Sequence, residues 1–467
     1  MDKRGVVVIG GGPGGYVAAI RAAQLGAQVT LVEEIKLGGT CLNHGCIPTK
    51  FMLRTVETHQ LIKYAERYGI SVSGVNFDLA EMQSRKNRVI SALGSGIKGL
   101  LTANKVEVIS GRAKPTPSKQ IEIDSGQGNK QTVEAEKIII ATGAKPIKLP
   151  VPGADSPDIM DIESVLDLTE LPKSLAIIGG GVVGVEMATV WAKLGCKVSL
   201  VEMMPHCLPT QDAEIASVLE DILREDGIQV CCSAKVERIE DVARGKAVIF
   251  TQGETEQKIE SEAVASAIGY KPNIEGLGLD ECGIAVDNGS IKVDERMQTS
   301  VPDIYAAGDV VGGMMLAYVA IAEGIVAAEN AVGMSSRIDY HAVPQCIFTL
   351  PEVASVGLTE EEAIAQGYEI QIGRFPLAAS GMAMILGEHR GLVKIISEQK
   401  YGQILGVHII GPHAPCLIAE ATIAMKQEST QDDIIATMHA HPSLSETIWE
   451  AAMDVSGKAI HFSSQNR

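Results

Sequence analysis

The sequence lacks any apolar run long enough to span a membrane, because Glu186 and several glycines interrupt the best candidate. It is short of positive charge: 40 lysines and arginines stand against 58 aspartates and glutamates, a net charge of −18. That balance opposes nucleic acid or an anionic membrane as a partner, and its bland meaning is solubility at neutral pH. A regular cysteine framework is missing too. Nine cysteines scattered over 467 residues suit a reducing cytoplasm better than a disulfide scaffold. Seven of them (Cys196, Cys207, Cys231, Cys232, Cys282, Cys346 and Cys416) are expected to pack as small apolar residues or to sit unpaired. An apolar strand already begins at Gly5, so no secretory signal is expected. The chain is too long for one core, so roughly two to four domains are expected. Glycine is abundant, at 48 residues often in clusters, marking sharp turns or close approach to a ligand.

One pattern occurs twice. Residues 5–34 read GVVVIGGGPGGYVAAIRAAQLGAQVTLVEE, and residues 174–203 read SLAIIGGGVVGVEMATVWAKLGCKVSLVEM. Each is an apolar strand, a glycine turn, an amphipathic helix ending at Leu-Gly, and a second strand ending in glutamate. The glycines fit G-x-G-x-x-G at Gly10, Gly12 and Gly15 and again at Gly179, Gly181 and Gly184. The first allows the tight turn, the second lets backbone approach a pyrophosphate, and the third lets helix and strand close together. Free N–H groups and the helix dipole then meet the phosphate. Glu33 and Glu202 each follow the first glycine by 23 positions, where a carboxylate accepts ribose hydroxyls and repels a 2′-phosphate. No arginine follows Glu202 closely, so NAD is expected over NADP. A lone glycine motif is weak, and a ligand-free glycine turn is its alternative; two copies in full βαβ context are strong.

Two dinucleotide sites suggest a flavoprotein in which nicotinamide passes hydride to an enclosed flavin, with FAD and NAD as cofactors. ATGAKP (141–146) and ASAIGYKPN (265–273) suit the returning strands, and IYAAGDV (304–310) places Asp309 where it could meet a polyol such as ribityl. Between the fingerprints lies GGTCLNHGCIPTK, residues 38–50. Four residues separate Cys41 from Cys46, and only His44 is nearby, so neither a zinc knuckle nor a C-x-x-C turn is expected, and no metal site. Pro48 suits a first helical turn, which would favour the Cys46 thiolate. A pair that opens and closes a disulfide beside a flavin fits the segment; two buried structural cysteines are the alternative. Lys50 shares a helix face with Cys46, either as a solvated lysine or as a cation near the flavin ring.

This segment resembles the active-site stretch of dihydrolipoamide dehydrogenases, within the disulfide reductase family that includes glutathione and mercuric reductases. The resemblance spans essentially the whole chain. It implies an α/β fold with two Rossmann-like dinucleotide-binding domains plus a C-terminal α+β dimerisation domain. The divisions expected are 1–146 for FAD, 147–270 for NAD, 271–339 completing the FAD site, and 340–467 for dimerisation. PEVASVGLTEEEA (351–363) and YGQILGVHIIGPHA (401–414) resemble that last domain, and the alternation in ILGVHII suits a sheet strand.

MHAHPSLSETIWEAA (438–452) carries His441 before Pro442, as at the start of a helix, and Glu446 five positions on. Such a pair is more often structural than catalytic. The resemblance implies His441 as general base and Glu446 as its orienting carboxylate, acting on the cysteine pair of the other subunit of a homodimer; His439 is read as structural. It also implies that Gly39, Thr40, Gly111, Gly143, Asp309 and Ala317 line the FAD, that Glu186 pairs with Lys50, and that Val236 and Gly269 border the NAD. The implied reaction oxidises a dihydrolipoyl group on a carrier protein, with Cys41 as interchange thiol and Cys46 facing the flavin. Leu350, Tyr318 and LAASGMAM (377–384) depart from the common pattern and touch no redox residue. EMMPHC after the second strand argues against the NADPH-specific glutathione reductases, and the ending SSQNR against mercuric reductases with their terminal cysteine pair. A soluble transhydrogenase would lack the redox pair, and a purely docking component would not need it.

Overall fold

The apolar stretches of both fingerprints become central strands in the computed structural model, which describes residues 3–126 and 128–463. Strand Lys3–Ile9 lies between Val29–Glu33 and Lys130–Ile140, parallel to both. Glu107–Ser110 and Ile304–Ala306 extend the parallel ladder on its two sides. Val7, Val8, Ile138, Ile139 and Ile140 are all buried, the continuous apolar reading of strands covered on both faces. The early half of Lys130–Ile140 runs out of the parallel sheet into an antiparallel ladder with Gln120–Asp124, which in turn pairs Arg112–Pro115. Helix Pro13–Gln24 packs on helix Ala317–Ala331 through glycine: a Cβ added at Gly324 would lie 2.3 Å from the Gly14 carbonyl oxygen. Distant sequence therefore completes the first nucleotide unit.

The second unit repeats the plan with five parallel strands in the order Gln229–Cys231, Lys197–Val201, Ser174–Ile178, Ala263–Ser266 and Ile159–Asp161. Helix Val182–Lys193 covers one face, with Val185, Met187, Val190 and Trp191 buried. An antiparallel sheet of Ala234–Asp241, Lys246–Gln252 and Thr255–Ser261 follows. The two units are joined where Ala144–Pro146 pairs antiparallel with Tyr270–Pro272.

The C-terminal part is an antiparallel five-stranded sheet carrying helices Ala414–Lys426, Gln431–Ala436 and Glu446–Val455. Its strand Ile404–Gly411 is buried at every position, so the expected alternation does not divide a wet face from a dry one. Val407 and Ile409 meet the sheet's own helices, whereas Ile410 joins the core around Leu219 and Leu223 of the second nucleotide unit. On that second face Lys394 Nζ, almost fully buried, contacts Asp212 at 2.9 Å and Glu360 at 2.7 Å. Such a pair adds little over apolar packing, but losing one partner would strand a buried charge, which locks the units in register. Among the described residues no helix is long and apolar enough to cross a membrane.

Candidate functional site

The glycine turns show why each fingerprint residue is what it is. Gly10 and Gly179 sit at φ +104° and +108°, where added Cβ atoms would meet the Ala141 and Ala267 carbonyl oxygens at 2.2 and 2.5 Å. Cβ atoms at Gly15 and Gly184 would each lie 1.9 Å from the carbonyl oxygen of the first glycine. These third glycines sit behind the turn and close the helix onto the strand, outside the cavity that the other fingerprint glycines border. Glu33 accepts the Gly11 N–H at 2.6 Å and the Ile35 N–H at 2.8 Å. Glu202 repeats this with Gly180 at 2.5 Å and Met204 at 2.6 Å. Both carboxylates are thereby aimed past the strand tip. Gly11 and Gly180 escaped the sequence reading, although the triple glycine in both copies was the available signal.

The two turns differ in how open they are. Gly12 faces Gly39, whose own Cβ would come 2.7 Å from Gly12 Cα, so the segment after Gly38 walls the first turn. Nothing lies within 4 Å of a Cβ at Gly181. An enclosed turn suits a resident cofactor and an open one a nucleotide that exchanges.

A single cavity of about 2010 Å³ joins both turns. Thr40, Gly111, Gly143, Asp309, Ala317, Val236 and Gly269 border it, together with Glu33, Glu202, Cys41 and Cys46. Its size and its side-chain-free glycine walls fit an extended dinucleotide at each end. Burial raises the Asp309 carboxyl above its ordinary range at the cavity wall.

Cys41 lies in the short helix Gly39–Asn43, and Cys46 is the first residue of helix Cys46–Lys63. The helix thus begins two residues before Pro48, and Cys46 sits in the terminus itself. The two side chains hydrogen-bond, an arrangement that lowers Cys46 to about 7, helped by Lys50 and the backbone N–H and opposed by burial. Cys41 is pushed up as the donor to that sulfur, and burial adds to the rise. The pair therefore holds one proton on Cys41 and leaves Cys46 as the thiolate. Lys50 Nζ meets both oxygens of the buried Glu186 at 2.8 and 2.9 Å. Phe348 completes this corner, its N–H on Glu186 at 2.9 Å and its ring 4.6 Å from the Lys50 ammonium. Nothing in the sequence marked Phe348. Tyr318 also borders the cavity and donates its hydroxyl to the Pro344 carbonyl.

His441 Nδ1 pairs with Glu446 at 2.8 Å, and Glu446 also accepts the Ser443 N–H at 2.8 Å. Burial works against ionisation of Glu446, but these two partners hold its carboxyl below the usual range. The helix starts at Glu446 rather than just after Pro442, and the His441–Pro442 peptide is cis. The His441 side chain is 82% exposed and does not border the cavity of its own chain. One chain does not bring His441 to Cys41. His439 is spent locally, its ring nitrogens on Glu420 and the Thr437 carbonyl. The ending beyond Ser463, used to argue against a terminal cysteine pair, lies outside the described residues.

Comparison with known proteins agrees with this geometry. The pyridine nucleotide-disulphide oxidoreductase profile matches residues 4–324, and the dimerisation domain of the same family matches residues 343–452. A dihydrolipoyl dehydrogenase of Bacillus subtilis (strain 168) is 42% identical, covering 98% of this chain and 99% of that one. The mitochondrial dihydrolipoyl dehydrogenase of Pisum sativum is 41% identical, covering 98% and 93%. Among solved structures, LpdA from Mycobacterium tuberculosis superposes with a TM-score of 0.88 at 30% identity, covering 97% and 99%. The HOCl-induced flavoprotein disulfide reductase RclA from Escherichia coli, as its Cu(II) complex, gives 0.87 at 30% identity over the same shares. The chain belongs to the pyridine nucleotide-disulphide oxidoreductase family.

Proposed function

We propose that the protein is a dihydrolipoyl dehydrogenase that uses FAD and NAD⁺. The observation that carries this reading is the Cys41–Cys46 pair, poised at a helix terminus on a cavity shared by both nucleotide turns. Relatives of that activity at about 40% identity over nearly the full chain support it.

In the oxidised enzyme Cys41 and Cys46 form a disulfide. One thiolate of a dihydrolipoyl group attacks the Cys41 sulfur, breaking the Cys41–Cys46 bond and leaving Cys46 as the thiolate. The second lipoyl thiolate displaces Cys41 from the mixed disulfide, so oxidised lipoyl leaves and two enzyme sulfurs are reduced. His441 of the partner subunit takes the proton from the attacking thiol, its ring held by Glu446. The helix terminus and Lys50 stabilise the Cys46 thiolate, and Glu186 keeps Lys50 in place. FAD supplies the two-electron chemistry that links the reduced pair to NAD⁺. The net reaction gives lipoyl, NADH and one proton.

Gly10, Gly12, Glu33, Gly39, Thr40, Gly111, Gly143, Asp309 and Ala317 hold the FAD in this reading. Gly179, Gly181, Glu202, Val236 and Gly269 hold the NAD. The exposure of His441 and its absence from its own chain's cavity support a homodimer whose sites are completed across the two-fold axis. The partitions 1–146, 147–270, 271–339 and 340–467 serve FAD, NAD, FAD and dimerisation in turn. The dithiol substrate is carried on a lipoyl-bearing protein, and the odd cysteine count supports a reducing, cytoplasmic setting. Anaerobic addition of dihydrolipoamide should reduce the bound flavin and drive NAD⁺ reduction. A flavin that NADH reduces but dihydrolipoamide leaves oxidised would refute the substrate.

A further inference from the structure

Away from the redox pair, two cysteines expected only to pack or to sit unpaired come together. Cys207 follows the second nucleotide strand and Cys232 follows Gln229–Cys231, and their sulfurs are 3.8 Å apart. Glu220, on helix Ala213–Glu225, places Oε1 3.3 Å from the Cys232 sulfur, and all three ligand atoms lie within 4.8 Å of one another. We propose that Cys207, Cys232 and Glu220 form a binding site for a thiophilic divalent cation of the zinc class.

Three observations support this. A tetrahedral zinc with bonds of about 2.3 Å to sulfur and about 2.0 Å to oxygen spaces two sulfurs about 3.8 Å apart and sulfur from oxygen about 3.5 Å. The sulfur–sulfur separation of 3.8 Å and the Cys232–Glu220 separation of 3.3 Å match those spacings, and the Cys207 sulfur lies within 4.8 Å of the Glu220 carboxylate. Second, the ligands are preset. Cys207 is fully buried, and its backbone N–H donates to Glu220 Oε1 at 2.8 Å. Arg224 engages the other oxygen, Oε2, at 2.7 Å, which leaves Oε1 turned to the sulfurs. Third, the charges balance. Two thiolates and one carboxylate offset a divalent cation and the Arg224 guanidinium. Binding would release two thiol protons, and the half-buried Cys232 leaves one side open for a water as fourth ligand.

The position gives the site a consequence. The Leu208 N–H donates to the Gly180 carbonyl at 2.9 Å, and Ser233 and Ala234 donate to Met204 and Glu202 at 2.8 Å each. A bound cation would clamp the two segments that frame Glu202 from behind the nucleotide cavity.

The test uses FAD-loaded protein carrying Cys41→Ser and Cys46→Ser, so that the redox pair cannot bind metal, kept reduced and equilibrated with buffered zinc before gel filtration. One zinc per chain, with two protons released per zinc, is expected. Adding Cys232→Ser should weaken uptake at least tenfold at unchanged flavin content, and Glu220→Gln should weaken it as well. Zinc retained undiminished in the Cys232→Ser protein would overturn the site. Failure to take up zinc would overturn it equally, whether the sulfurs stay thiols or are recovered as a Cys207–Cys232 disulfide.

Discussion

Lys50 and Glu186, 136 residues apart, join the helix that begins at Cys46 to the helix of the second nucleotide turn through an ion pair at 2.8 Å. Glu186 is buried and Lys50 about one-third exposed, so the two substitutions should not be equivalent. Lys50→Met leaves a buried carboxylate with only the Phe348 N–H and should cost about 3 kcal/mol in chemical denaturation. Glu186→Gln, which keeps that N–H bond and leaves the cation partly solvated, should cost less. The reverse order would show that the pair does not anchor this corner.

The Cys46 value near 7 predicts a pH dependence. In the two-electron-reduced enzyme the thiolate forms as pH rises, so the long-wavelength absorbance of thiolate beside flavin should grow with a midpoint at about 7. Lys50→Met removes a nearby cation that favours the thiolate, and its midpoint should move upward. A band independent of pH across that range would contradict the assignment of the thiolate to Cys46.

Glu202→Ala leaves the Gly180 and Met204 N–H groups without their acceptor and removes the carboxylate that opposes a 2′-phosphate. KM for NAD⁺ should rise roughly tenfold, equivalent to about 1.4 kcal/mol. The ratio of NADP⁺ to NAD⁺ use should rise with it. Steady-state kinetics with both nucleotides checks this.

Gly15→Ala and Gly184→Ala each place a methyl 1.9 Å from a turn carbonyl. The first should be recovered with little flavin, because the helix can no longer close on its strand. The second should retain flavin and lose NAD⁺ binding. Flavin-to-protein ratios and nucleotide titrations separate the two.

A homodimer with sites completed across its axis predicts complementation. His441→Ala and Cys46→Ser proteins, each inactive alone, should regain about one quarter of wild-type turnover when unfolded, mixed and refolded, since half of the dimers are hybrids with one intact site. Activity that stays at the level of the separate variants would place His441 and Cys46 of each site on the same chain.

The nucleotide units were legible because their signals are local. Gly10 and Gly179 need a positive φ beside a carbonyl, and Glu33 and Glu202 must end a strand, so glycine spacing and strand period carry the geometry in the chain itself. The strand Ile404–Gly411 was legible as a strand but not as one buried on both faces, because its second cover comes from helix Ala213–Glu225, far away in sequence. The start of a helix at Cys46 rather than after it was hidden for a similar reason: Pro48 marks the first turn, not its first residue.

Sequence alone thus determined two dinucleotide turns and a candidate redox cysteine pair, since each is built from neighbours within one turn or one strand, while the His441–Glu446 pair stood out as a segment whose role the family resemblance supplied. Tertiary structure alone decided the rest: that Phe348 closes the Lys50 corner, that the exposed His441 does not border its own chain's cavity, and that Cys207, Cys232 and Glu220 converge. Those contacts join segments whose separation in sequence carries no periodic signal, and only the packing of helices and sheets sets their distances.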